Sequence, residues 1–344
     1  MLRWIGIDIG GANLKAANAS EWTHRMPFPI WRSPQKLPAA LAELIETSPT
    51  FDAVAVTMTG EMVDCFATRE EGVCRILEAL ATVLPSTLLR VYATDGNWLS
   101  VPAAARNPWL VAASNWRGLA EYSIRWTDQQ STLLVDVGST TADILAIDGK
   151  SGKIVSSSKT DRDRLISGEL VYTGAERSNV AGLIQQVELH NDTIPFINEL
   201  FATTADVHLL LGHTEEEPEN KDSADGRPRT RSSAAYRLAR TIGEDGTTLA
   251  MEEIVLIAEA IYHAQVELIA KAMLRVSLKF GKKFCQHVLF SGHADYLIED
   301  AIEHLGWKVN QSKLSQRIGR TSSACGPAFA LAVLASERFP NDVE

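Results

Sequence analysis

Cysteine is scarce: Cys65, Cys74, Cys285 and Cys325 are the four in 344 residues, and no two stand at a metal-ligand spacing. That excludes a disulfide framework and fits a reduced cytosolic protein. No apolar run approaches the roughly 18 residues that cross a bilayer; residues 327–335 are representative of the short runs present. Positive charge is in the minority, with 33 Lys and Arg against 43 Asp and Glu for a net charge of −10. A broad basic face for nucleic acid is thereby excluded. Histidines are scattered, and His208 and His213 miss the i, i+4 spacing of two ligands on one helical face, so no zinc site is expected. The first strand pattern begins almost at Met1, which leaves no room for a signal peptide. The expectation is a soluble cytoplasmic protein with no nucleic-acid or membrane partner.

What is present centres on residues 5–15, IGIDIGGANLK, and their echo at 134–143, LVDVGSTTAD. Each is a short apolar β-type run ending in a carboxylate, then Gly with small hydroxyl or amide residues, then a second β-type run. Gly10 and Gly138 are expected to turn tightly by taking φ > 0 and to leave room for a ligand against the backbone. The N–H groups of such turns form an anion-binding concavity, and Asp8 and Asp136 are placed to hold a divalent cation beside the anion through water. Phosphate donors are then Gly10, Gly11, Asn13 and Lys15 from one turn, and Gly138, Ser139, Thr140 and Thr141 from the other. Two such hairpins facing each other make a diphosphate clamp. The alternative is two ordinary hairpins, each with an Asp at its turn.

The chain is long enough for two domains, with a boundary expected in the polar stretch 127–131, giving domains 1–130 and 131–344. Strand patterns at 14–19 and 22–28 extend a β-meander. Helical spacing at 37–45 and 70–84 alternates with strands at 53–58 and 88–92, which predicts an α/β fold around mixed sheets. Polar residues follow strand ends at Glu61, Asp95 and Asn115, where ligands bind in open α/β sheets. Asn115 and Trp116 are candidates for an aromatic wall against a planar ring, with core packing the alternative for every tryptophan. Residues 161–174 read as a polar loop ending in Thr173 and Gly174. Asp206 lies in an N-cap signature at 203–206. The acidic segment 215–230 is a solvated loop by composition, with a possible lid role through its terminal cations. A long helix is expected over 249–280, strands at 287–290 and 307–309, and a closing small-residue helix at 324–337 that approaches another helix as an interdomain hinge does. His293 stands apart from the other histidines by following the strand-end Gly292.

With both turns, the 290–294 strand–Gly element and the terminal helix in place, the chain resembles the superfamily of sugar kinases, actin and chaperone ATPases. That resemblance implies two ribonuclease-H-like domains with a ligand cleft between them. A narrower set of motifs stands in order: GIDIGGANLKAA (6–17), MTGEMVDCF (58–66), ASNW (113–116), VDVGSTTADI (135–144), ELVYTGAERSNV (169–180), ATTADVH (202–208), SADGRPRT (223–230) and LFSGHA (289–294). Together they are similar to the hydantoinase/oxoprolinase-related proteins linked to the tetrahydromethanopterin one-carbon pathway, which include methanofuran biosynthesis. This resemblance implies a transferase in which the phenol of a (glutamyl-)tyramine attacks the CH₂ of an aminomethylfuran-methyl diphosphate and pyrophosphate leaves. Lys15 and the two turns would stabilise the leaving group, with Mg²⁺ at Asp8 and Asp136, and Asp143 would position a water or the amine. The phenol's base is left open among Glu61, Asp95 and Asp206. ATP-using members carry Gly-Gly where this chain has Ser291-Gly292-His293, which narrows the space for a purine and favours a small diphosphate ester over ATP. Two alternatives are an ATP-dependent small-molecule kinase or hydantoinase/oxoprolinase-like amidohydrolase, and a nucleotide-responsive regulator without turnover.

Overall fold

The computed structural model describes residues 2–156, 158–281 and 284–341. Strands β1 (Trp4–Ile9), β2 (Asn13–Asn18) and β3 (Thr23–Pro27) form the meander, and β4 (Ala53–Met58) and β5 (Leu88–Tyr92) extend it in parallel on the other side of β1. A short β6 (Trp98–Leu99) closes the sheet, in the order β3-β2-β1-β4-β5-β6. The second sheet repeats this plan. β7 (Ser131–Val137) and β8 (Ala142–Asp148) form the hairpin, with β9 (Lys153–Ile154) and β10 (Leu170–Val171) paired on β8. A separate hairpin, β11 (Gln186–Leu189) and β12 (Asp192–Pro195), turns through His190 and Asn191, both at positive φ as a two-residue hairpin turn requires. β13 (His287–Gly292) then lies parallel to β7, and β14 (Asn310–Lys313) parallel to β13. A hairpin flanked by a parallel crossover strand, made twice, is the ribonuclease-H-like plan, here as two mixed sheet-and-helix lobes.

Every residue of β1 and β4 is buried, as expected for strands covered by helices on both faces. One cover is the terminal helix Gly326–Arg338. A Cβ at Gly6 would stand 1.9 Å from the Ala328 carbonyl oxygen, so glycine on β1 is what lets the helix seat there. The small residues of this helix therefore serve close approach to a strand, as well as to the helix Asn115–Ser123, where Gly118 faces Leu331. With its own Phe329, the neighbours Trp116, Leu119, Leu134, Leu145 and Leu289 form a core that ties one sheet to the other. Larger cores sit in the first lobe, under β1 and β4, and in the second, around the helix Met251–Ser277.

Two expectations are corrected. Residues 161–174 contain a helix, Asp161–Ser167, rather than a loop alone. Its Thr160 cap accepts the Asp163 amide, acidic residues occupy its first turn, and Gly168 at φ 81 ends it. The last strand lies at Asn310–Lys313 rather than 307–309, because register with β13, not apolar alternation, defines this polar edge. The acidic segment is tied down: Asp225 pairs with Arg237 at 3.0 Å and Arg240 at 3.6 Å, and Glu217 bridges to Arg229. Among the described residues, no helix is long and apolar enough to cross a membrane.

Candidate active site

The two hairpin turns are built alike. The Gly10 N–H donates to the Asn13 carbonyl at 3.0 Å, and the Gly138 N–H to the Thr141 carbonyl at 2.9 Å. Register places Asp8 between Lys15 on β2 and Thr57 on β4. The same position in the second sheet, Asp136, lies between Asp143 on β8 and Ser291 on β13. Neither Gly10 nor Gly138 takes positive φ, contrary to expectation. Glycine is required at the first turn by crowding instead: a Cβ at Gly10 would lie 2.8 Å from the Asn13 oxygen, and one at Gly11 2.7 Å from Val63. At Gly138 the nearest atom would be 3.5 Å away, an ordinary contact, so crowding does not demand glycine there. Positive φ occurs instead at Gly292, where a Cβ would also stand 2.1 Å from the Val137 oxygen.

Between the turns lies a cavity of about 120 Å³. Asp8, Gly10, Gly11, Asn13 and Lys15 line it from the first lobe, together with Asn115; Asp136, Gly138, Ser139, Thr140, Thr141, Asp143, Gly292 and His293 line it from the second. Thr59, Ser323 and Pro327 join them, and the signal for the last two was only the small-residue start of the terminal helix. Burial raises the Asp8 carboxyl to about 6, with Lys15 opposing and Asp136 and Asp143 adding to the rise. Its Oδ1 is buried without a hydrogen-bond partner among the described residues. Burial also raises Asp143, against the pull of Arg164, whose buried guanidinium sits 2.5 Å from it. Behind His293, burial pushes Glu176 up, but His293, Arg229 and Arg25 outweigh it and hold this carboxyl well below the usual range.

The remaining candidates lie elsewhere. Trp116 is 2% exposed, part of the core between the sheets, and its ring is covered by Arg164 at 4.6 Å. The helix that presents Asn115 to the cavity turns the next residue inward, so Trp116 is no open aromatic wall. Asp95 is exposed and accepts the Asn97 backbone and side-chain N–H groups. Asp206 caps its helix through the Thr203 amide and is bound by Arg237 at 2.6 Å. Thr173 is buried against Gln265 and Ser178, and Gly174 packs on the backbone of Ser139 and Thr140, where a Cβ would come within 2.6 Å. These two buttress the second turn from behind.

Glu61 lies beyond the small cavity. A second cavity, of about 460 Å³, shares Gly11, Ala12, Thr59, Thr140 and Thr141 with the first, and shares Met62, Val63 and Asp64 with a third of about 890 Å³ that Glu61 lines. The exposed aromatic surface along this path comes from Tyr172 and Trp109, and Trp31 adds a ring stacked under the Arg177 guanidinium at 4.8 Å. Trp31 escaped the sequence reading because it sits in a single 3-10 turn, Ile30–Arg32, with no strand-end signature. Arg177 and Arg164 escaped because a single arginine carries no spacing signal.

Among the described residues there is no cluster of three or more His, Cys, Asp or Glu side chains able to hold a metal. Asp8, with its unpartnered buried Oδ1, and Asp136 in the same cavity do fit Mg²⁺, which takes one or two protein carboxylates and completes its shell with phosphate oxygens and water.

The sequence pattern of the hydantoinase/oxoprolinase family matches residues 52–338. The chain is 31% identical over 338 residues to the (4-{4-[2-(gamma-L-glutamylamino)ethyl]phenoxymethyl}furan-2-yl)methanamine synthase of Methanocaldococcus jannaschii, covering 97% of this chain and 98% of that one. It is also 31% identical over 209 residues to the synthase of the same name from Methanococcus vannielii, covering 60% of this chain and 90% of that protein. Among solved structures, component A of the (R)-2-hydroxyglutaryl-CoA dehydratase of Acidaminococcus fermentans superposes with a TM-score of 0.46 at 12% identity, over 99% of this chain and all of that one.

Proposed function

Starting from the fact that the chain belongs to the hydantoinase/oxoprolinase family, we propose that it is an ether-forming transferase of methanofuran-type cofactor biosynthesis. The product in the relatives' name contains an aryl ether between a tyramine phenol and a furan methylene. In this reading the phenol oxygen attacks the CH₂ of an aminomethylfuran-methyl diphosphate. The new C–O bond forms as the bond to the diphosphate breaks, and pyrophosphate leaves with the electron pair.

The single observation that carries the reading is the pair of matched turns around one cavity, with Asp8 and Asp136 at the same register position in the two sheets. Charge develops on the leaving diphosphate, and donors already aimed at it lower the barrier most. Lys15 and the turn N–H groups other than those of Gly10 and Gly138, which bond within their own turns, would supply them. Asp8 and Asp136 would hold Mg²⁺, which when bound neutralises diphosphate charge. The two lobes meet across this cleft, so closing on the donor would exclude water from its reactive carbon.

Pyrophosphate with Mg²⁺ is expected to raise the melting temperature at least as much as ATP with Mg²⁺. The diphosphate uses both turns, whereas Ser291 and His293 leave little for a purine to gain. A ligand at 100 times its Kd stabilises by about 2.7 kcal/mol, a shift of a few degrees. Melting curves with pyrophosphate, ADP, ATP and AMP, each with and without Mg²⁺, check this. A large ATP shift reproduced by AMP and absent with pyrophosphate would favour a kinase-like enzyme instead.

A further inference from the structure

We propose that Glu61 is the catalytic base that takes the phenol proton, and that the cavity of about 890 Å³ beside it receives the phenolic amine. This assignment rests on the ether-forming reading above. The attacking oxygen forms its bond to the furan methylene, pyrophosphate departs, and the phenolic proton passes to the Glu61 carboxylate.

The cavities adjoin in series, with shared lining residues from the diphosphate turns to Glu61. The outer cavity is lined by Trp109 and Met62, each 60% exposed, and by Leu165. Such open apolar side chains around one hollow suit an aromatic ring. Glu61 itself is 1% exposed, and its Oε2 has no hydrogen-bond partner among the described residues. Helix Arg69–Val83 seats on its backbone, where a Cβ at Gly72 would stand 2.1 Å from the Glu61 carbonyl oxygen. A buried carboxylate held rigidly, with one oxygen unpartnered, in a residue that lines the cavity has no packing purpose that a hydrophobic residue would not serve better.

The charges around it set its state. Arg69 lies 3.8 Å from Glu61, 2.6 Å from Asp161 on the second lobe, and 5.2 Å from the Trp109 ring centre. Burial raises the Glu61 carboxyl to about 7, Asp161 adds to the rise, and Arg69 and the Ala113 amide oppose it. Ala113 reaches that position at φ 48, a strained conformation for a residue with a side chain. Asp64 and Asp163 also line the cavity. A base near neutrality is matched to a phenol of pKa about 10 far better than an ordinary carboxylate is. The rival carboxylates are committed, Asp206 to Arg237 and Asp95 to an exposed turn.

The test compares wild type, E61Q, E61D and R69M with a furan-methyl diphosphate and glutamyl-tyramine, unsubstituted or ring-fluorinated. E61Q is expected to lose about 100-fold or more in kcat/KM, to lose the ascending limb of the pH profile near pH 7, and to keep the pyrophosphate-induced melting shift. Its deficit should shrink with the more acidic fluorinated phenol. E61D should retain the limb at a lower rate, and R69M should move it to higher pH. If wild type forms no ether, the parent reading fails and the base assignment falls with it. If wild type forms ether and E61Q matches it within about threefold with an unchanged profile, only the base assignment is overturned.

Discussion

Asp8→Asn is expected to abolish turnover and to make the unliganded protein more heat-stable. The loss should reach at least about 100- to 1,000-fold, because this carboxylate is assigned to the cation that meets the leaving diphosphate. The stability gain follows from the Asp8 carboxyl lying at about 6 in the folded protein against an ordinary 3.8. Between those values the folded state keeps a proton that the unfolded state has released, so stability falls as pH rises. The cost is absent below about pH 4 and complete above about pH 6–7, where it amounts to roughly 3 kcal/mol. The isosteric amide carries no such cost. Melting at pH 4.5 and pH 7.5 should therefore show a D8N advantage that grows with pH, with the Mg²⁺–pyrophosphate shift lost. A D8N protein that melts below wild type at pH 7.5, or turns over normally, would mean that Asp8 is a structural carboxylate.

Gly292→Ala is expected to destabilise the fold by roughly 3–5 kcal/mol, or to prevent folding. Two independent constraints meet there: φ is 89, and the added Cβ would stand 2.1 Å from the Val137 carbonyl oxygen. Val137 is the last residue of β7 before the Gly138 turn, so a chain that survives by moving aside displaces the second diphosphate turn. Urea midpoints should fall sharply, and any folded remainder should lose the pyrophosphate shift. Gly182→Ala, with open space around the position, is the control and should stay within about 0.5 kcal/mol. Equal behaviour of the two variants would remove the geometric argument.

Why this site was partly legible in the sequence follows from the same geometry. The turns announce themselves because strand, carboxylate, glycine and hydroxyl residues are consecutive, and the duplicated register then brings Asp8 and Asp136 to one cavity. The phase of a short helix is less legible. Nothing local states that Asn115 faces the cavity while Trp116 turns into the core, since that depends on Gly118 meeting Leu331 across two helices. The helix Asp161–Ser167 had its signals, a Thr160 cap and Gly168, but its exposed Leu165 and Ile166 give no apolar period to count. Three strand-end or capping carboxylates, Glu61, Asp95 and Asp206, look equivalent in sequence. Their difference is made by partners far along the chain, such as Arg237 on Asp206, and by whether a cavity reaches them.

The most direct measurement is mass-spectrometric product analysis of the wild-type protein with Mg²⁺, an aminomethylfuran-methyl diphosphate and glutamyl-tyramine whose phenol oxygen is ¹⁸O-labelled. Alkyl transfer to that phenol predicts an ether that retains the label, with one pyrophosphate released per ether and no requirement for ATP. ATP consumption with release of ADP or phosphate, and no labelled ether, would contradict it.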